Sequence, residues 1–205
     1  MERPHVRLGV TIAAHAIVRV ASSASGVLIG IYLASLGGHA FQMDAGLLGT
    51  LGAVSFAAEL ISSIPLGMAS DAVSPRRLMV SGALVGALAV QVFALSSHVE
   101  VFFLSRALKG IGVAAATPSL LAYLAEATTH DSALRARVMS FFELSLLSGL
   151  ALGGLLGSQF WKLFNAHAFS LVALAYLVSA ALLFFGAKGS RLHGSHAAWQ
   201  GLLEP

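Results

Sequence analysis

Six long apolar stretches, at about 8–36, 45–70, 78–97, 100–126, 134–160 and 167–187, limit what this chain can fold into more than any other feature. A helix needs about 20 apolar residues to cross a bilayer, and every stretch is at least that long. Inside lipid the backbone polar groups have to be satisfied within the segment, so continuous apolar runs of this length form helices. A membrane barrel would need segments of about ten residues with alternating polarity, a pattern these runs do not have. The breaks "GGHAFQMD", "DAVSPRR", "SSHVE", "EATTHDSALRAR" and "WKLFNAH" are polar and loop-like. The expected fold is an all-α membrane protein. A six-helix transmembrane bundle fills residues 1–187, and residues 188–205 form a cytoplasmic tail.

Composition narrows the class further. Of the 205 residues, 57% are hydrophobic and 10% charged, and the mean hydropathy is +0.84. A soluble domain carries about 25% charged residues, so this chain has too little polar surface to face water. There is no cysteine, which removes disulfides and thiolate chemistry. The net charge of +3 comes from basic residues scattered at the ends of apolar runs, so no nucleic-acid partner is expected. His5, His130, His193 and His196 are dispersed over ends and loops, and neither a metal nor a cofactor is expected. The basic start (Arg3, Arg7) before "LGVTIAAHAIV" resembles a secretion signal. The run nevertheless continues past His15 and Arg19 through "GVLIGIYLASL", longer than the 7–15 residues of a cleaved apolar region, and reads as a span.

Lys and Arg in the connections set the orientation. Arg3, Arg7, Arg76, Arg77, Arg135, Arg137, Lys188 and Arg191 fall on one side, against Lys162 on the other. Both termini and the loop "DAVSPRR" are therefore expected in the cytoplasm of a multi-pass protein of the cell membrane.

Five ionisable residues remain inside the spans: Arg19, Glu59, Arg106, Lys109 and Glu143. Each costs about 2.5–3.5 kcal/mol at a helix centre, so such residues face protein or water and mark transport or relay pathways. They fall on spans 1, 2, 4 and 5, which makes spans 3 and 6 the expected lipid-facing pair. Arg19 and Glu143 lie at similar depth by residue count, and they are expected to share an aqueous cavity with Arg106 and Lys109. Glu59 is expected nearer the cytoplasm. Arg19 then Glu59, and Arg106 then Glu143, place the same charge order on equivalent spans of two triplets, as a 3+3 inverted repeat would.

Three motifs carry a family resemblance. "GMASDAVSPRR" has Gly67, then Asp71 four residues later, then the basic pair Arg76 and Arg77. "RALKGIGVAAATP" has Arg106, then Gly110 and Gly112, with Lys109 between. "GLALGG" clusters Gly149, Gly153 and Gly154, a pattern that also serves simple small-residue packing. In this order and on these spans they resemble the N-terminal six-helix half of the major facilitator superfamily. The first resembles that family's cytoplasmic gate between helices 2 and 3, although Ala72 and Ser74 stand where Arg and Gly are usual. The second resembles its helix 4 pattern, whose Arg borders the pathway and is linked to proton coupling. The third resembles the helix 5 antiporter signature without its proline.

The resemblance implies a secondary transporter, not an enzyme, that moves a small solute by alternating access. Its partners would be the solute, the lipid bilayer and a second six-helix half, carried by a longer chain, a separate subunit or a second copy. Basic residues inside the spans exceed acidic ones by one, which leans the solute toward an anionic or amphiphilic one. Glu59 or Glu143 is the candidate proton carrier. A non-transporting sensor or scaffold of the same fold is the alternative. An intramembrane serine protease is a remote one, since "SASG" at Ser23–Gly26 lacks the leading Gly of that nucleophile motif and sits in the first span.

Overall fold

The computed structural model describes residues 4–36 and 45–187, apart from the side chains at 4, 5, 45 and 70–72. Among them are six α-helices: α1 (Pro4–Leu36), α2 (Ala45–Ala72), α3 (Pro75–Ala94), α4 (Val99–Ala127), α5 (Ser132–Phe164) and α6 (Ala168–Gly186). Four stretches are long and apolar enough to cross a membrane: Val6–Leu36, Gly46–Ala69, Pro75–Ala94 and Ser132–Gly186. The last of these holds both α5 and α6.

Local chemistry explains the helix ends. Pro75 opens α3, where a missing N–H costs nothing and the fixed φ already suits a helix. Asp131 caps α5 by accepting the Leu134 N–H at 2.8 Å. Asn165 closes α5 at φ 49°, a left-handed conformation that Asn tolerates better than most residues. A single 3₁₀ turn, Asn165–His167, then reverses the chain into α6.

The helices pack as α1 with α5, α2 with α4, α3 with α4, α3 with α6, and α1 with α6. Exchanging α1 with α4, α2 with α5 and α3 with α6 maps this set of pairs onto itself. With three crossings per triplet, the second triplet runs opposite to the first. The fold is the inverted 3+3 bundle. It is also an open arc, with α2 and α5 at its ends and each leaning on a single neighbour. Large apolar side chains accordingly stand exposed along both, including Phe56, Leu60, Ile61 and Ile64 on α2 and Leu144, Leu147, Leu150 and Leu155 on α5.

Two seams show how close approach is achieved. On α5, Gly149, Gly153 and Gly157 repeat every four residues and face α1. A Cβ on Gly149 would come 2.5 Å from the Arg19 Cβ, one on Gly153 would meet the Ser23 Cβ, and one on Gly157 would lie 2.8 Å from the Ala24 carbonyl oxygen. On α4, Gly110 does the same against the Ser55 carbonyl of α2. Small residues let backbones approach where lipid gives no hydrophobic push between helices. In both seams the pairs advance together, four residues at a time: 15 with 145, 19 with 149 and 23 with 153, then 51 with 106 and 55 with 110. The paired helices are therefore parallel.

The core divides into two apolar clusters. One holds Leu28, Leu33, Phe93, Phe102, Phe169 and Tyr176, where the Phe93 and Phe102 rings stack at 4.4 Å. The other holds Leu8, Met79, Leu124, Val138, Phe142 and Leu183. On α1 the first begins at Ala21 and the second ends at Ala14, so His15 and Arg19 occupy the level between. Lys109 of α4 lies at that level too.

Candidate solute pathway

A cavity of about 250 Å³ opens inside the arc. Its walls are Arg19, Ser22 and Ser23 from α1, Ser55, Phe56 and Glu59 from α2, Arg106, Lys109 and Val113 from α4, and Leu150 from α5. Neither α3 nor α6 contributes a wall residue. They pack behind α4 and α1, where each is held by two neighbours.

The three basic residues are fixed in different ways. Lys109 is 91% buried, and its Nζ donates to the Ser22 carbonyl and to Ser25 Oγ, both at 2.9 Å. Ser25 Oγ in turn donates to the Ser22 carbonyl at 2.7 Å, so it is free to accept from the ammonium. Arg106 Nε donates to the Leu51 carbonyl of α2 at 3.1 Å. One terminal nitrogen of Arg106 is buried without a hydrogen-bond partner. Arg19 is half-buried and borders both this cavity and a smaller one behind it. Neutral oxygens, not a carboxylate, hold Lys109. The positive charges stay available to the cavity, with Glu59 facing Arg19 and Lys109 electrostatically.

The structure thus brings together four of the five ionisable residues singled out from the sequence. Glu143 stands apart: it is exposed and absent from the cavity wall. Glu143 and Leu150 share a face of α5, seven residues apart, which is roughly 10 Å along the axis at 1.5 Å per residue. The contact of Arg19 with Gly149 sets the level of the seam, and Glu143 lies six residues before it. Counting residues from the span ends gave Arg19 and Glu143 one depth because it left out this register. Glu59 lines the same cavity as the cations, eight residues along α2 from the Leu51 that pairs with Arg106.

Among the glycines of the motifs, Gly110, Gly112, Gly149 and Gly153 sit in tight contacts. Gly112 and Gly82 oppose one another across α3 and α4, where a Cβ on Gly112 would lie 2.8 Å from the Gly82 carbonyl oxygen. Gly154 has only Val27 at 3.9 Å, and a Cβ at Gly67 would meet nothing within 4 Å. Gly157 was missed, although its signal was present: with Gly149 and Gly153 it completes a four-residue spacing in "GLALGGLLG". At the loop between α2 and α3, the Arg76 guanidinium lies 4.0 Å over the Phe184 ring of α6, while Arg77 is exposed. The Asp71 side chain lies outside the described residues.

His15 and Tyr176 were also missed. His15 is 4% exposed, stacks on Phe142 with centroids 4.9 Å apart, and meets Ser145 Oγ at 2.7 Å. In sequence it is one polar residue in an apolar run, which carries no sign of partners 130 positions away.

Comparison with known proteins places this geometry. Over 112 residues the chain is 28% identical to "Multidrug resistance protein 2" of Bacillus subtilis (strain 168), covering 55% of this chain and 28% of that protein. Its fold is similar to crystal structures of the peptide transporter POT in complex with sulfate. The TM-score is 0.77 at 18% identity over 96% of this chain and 42% of that one. For the E310Q mutant it is 0.76, also at 18% identity, over 95% and 42%. The chain spans less than half the length of these relatives. Residues 11–203 match the Major Facilitator Superfamily, and the chain belongs to that family of transporters.

Proposed function

We propose that this chain forms one half of a secondary transporter that moves a small anionic solute by alternating access. The observation that carries the reading is the cavity, where Arg19, Arg106 and Lys109 face a single carboxylate, Glu59. With Glu143 removed from the wall, the balance among these side chains is more positive than the sequence count implied. Planar guanidinium groups suit oxyanions, and both Arg19 and Arg106 line the cavity. Ser23 and Ser55 add neutral hydroxyls to the same wall.

The second half is part of this proposal. The exposed apolar faces of α2 and α5 flank the cavity mouth, as two surfaces meeting a second six-helix bundle would. Both termini face the cytoplasm in this reading, in line with the basic residues of the connections. Glu59 is the carboxylate placed to exchange a proton with the pathway. The test is uptake into lipid vesicles holding this chain with a second six-helix half, supplied with radiolabelled small carboxylates, phosphate esters and organic cations. Accumulation of anions, abolished by Arg106→Gln, is expected. Accumulation of cations alone would overturn the anionic assignment, and no accumulation of any class would overturn transport.

A further inference from the structure

The side chains around the solute cavity are sorted by helix. Arg19 of α1 and Arg106 and Lys109 of α4 supply its cations, and these two helices occupy the middle of the arc. Phe56 of α2 and Leu150 of α5 stand at the two ends. Among the described residues, they are the only exposed large apolar side chains of α2 and α5 that line this cavity. Leu60 and Ile64 of α2, and Leu147 and Leu155 of α5, are similarly exposed but stay off its wall.

The helix seams fix the level of both. Ser55 seats α2 against Gly110 of α4, the neighbour of Lys109. Phe56 follows Ser55 and is turned about 100° from it, out of the seam. Gly149 seats α5 against Arg19, and Leu150 follows it with the same turn of about 100°. An apolar side chain therefore flanks the cations on each side, at their own depth. Phe56 is 72% and Leu150 65% exposed, so neither is spent on packing within this chain, whereas Lys109 is buried at the back. Glu59 lies one turn beyond Phe56 on the same face of α2, where its carboxylate repels a second negative group on a solute.

We infer that the solute is an amphiphilic organic monoanion, with its carboxylate or sulfonate against Arg19 and Arg106 and an aromatic body against Phe56 and Leu150. The inference rests on the anionic reading of this cavity and narrows it. A wholly hydrophilic anion leaves both apolar side chains facing water. A ring laid against them removes apolar surface of solute and wall together, and its contact with the Phe56 ring has a preferred geometry of its own. Pockets for drug-sized ligands run to about 300–1,000 Å³, so a cavity of about 250 Å³ suits a body of a single ring or a fused pair.

All of these side chains belong to this chain, so binding is measured on the full chain in phosphatidylcholine vesicles, with protein-free vesicles subtracted. The probe is radiolabelled naphthoate, displaced by unlabelled naphthoate, acetate, phosphate or the neutral naphthalene methanol. Saturable binding is expected, with acetate and phosphate displacing the probe about tenfold more weakly than naphthoate, or worse. Phe56→Ser and Leu150→Ser should each weaken naphthoate binding by up to about tenfold. Both residues are exposed, so neither change opens a packed core. Affinity unchanged in both variants, or acetate and phosphate displacing as well as naphthoate, would overturn the amphiphilic class and leave the anionic reading standing. Displacement by naphthalene methanol equal to that by naphthoate would overturn both. Absence of saturable binding would overturn the inference, while uptake of small anions would still decide the reading beneath it.

Discussion

Lys109, Arg106 and Arg76 are each held by neutral oxygens or by a ring. Arg76 illustrates the exposed case, with its guanidinium over the face of a half-exposed Phe184. A cation–π contact at such a site contributes about 0.5–1 kcal/mol. Arg76→Gln should therefore lower the thermal stability of the purified protein slightly, and Phe184→Leu should do the same. The double variant should cost less than the sum of the two. Additivity within error would show that the contact does not form in solution. Asp131 is a second local case. Its carboxylate satisfies the Leu134 N–H at the start of α5, and Asp131→Ala should destabilise by about 1 kcal/mol while Asp131→Ser stays close to wild type. A thermal melt of the three proteins reads this directly.

Among the elements, the α1–α5 seam depends on glycines spaced by four. Adding a side chain at Gly153 drives it into Ser23, whereas at Gly154 it finds Val27 at ordinary distance. Gly153→Val should be strongly destabilising, by about 1–3 kcal/mol or more for an overpacked contact that cannot relax. Gly154→Ala should be tolerated, and so should Gly67→Ala. The measurement is the yield of monodisperse protein in detergent together with its melting temperature. Equal losses at Gly153 and Gly154 would mean that the register of α1 on α5 is wrong. The cluster "GLALGG" showed that helix 5 packs closely, but not which glycines do it. Helical geometry decides that: residues four apart share a face, and Gly154 is rotated about 100° from Gly153.

For the whole molecule, the inverted repeat and the basic connections give a testable topology. An impermeant thiol reagent added to intact cells should label Ser97→Cys and spare Ser74→Cys. The reverse pattern would invert the orientation. Proton coupling is tested in the two-half vesicles, with and without a pH gradient. Gradient-driven uptake should be lost in Glu59→Gln and kept in Glu143→Gln, because only Glu59 lines the cavity. Uptake indifferent to Glu59→Gln would remove that carboxylate from the mechanism.

Sequence by itself determined the membrane class, the all-helical fold and the set of residues that do not belong in lipid. These follow from local quantities: run length, the cost of burying a charge, and the side on which Lys and Arg fall. The order of the motifs pointed to the family for the same reason, since each is a short segment with its own spacing. Tertiary structure alone decided which of those residues meet. Glu143 left the group and Glu59 stayed in it because the rotation and register of one helix on another are set by contacts between distant positions, Gly149 on Arg19 and Gly110 on Ser55. His15 shows the same limit. Its partner Ser145 is 130 residues away, so the buried layer between the two apolar clusters exists only once α1 and α5 are seated on each other.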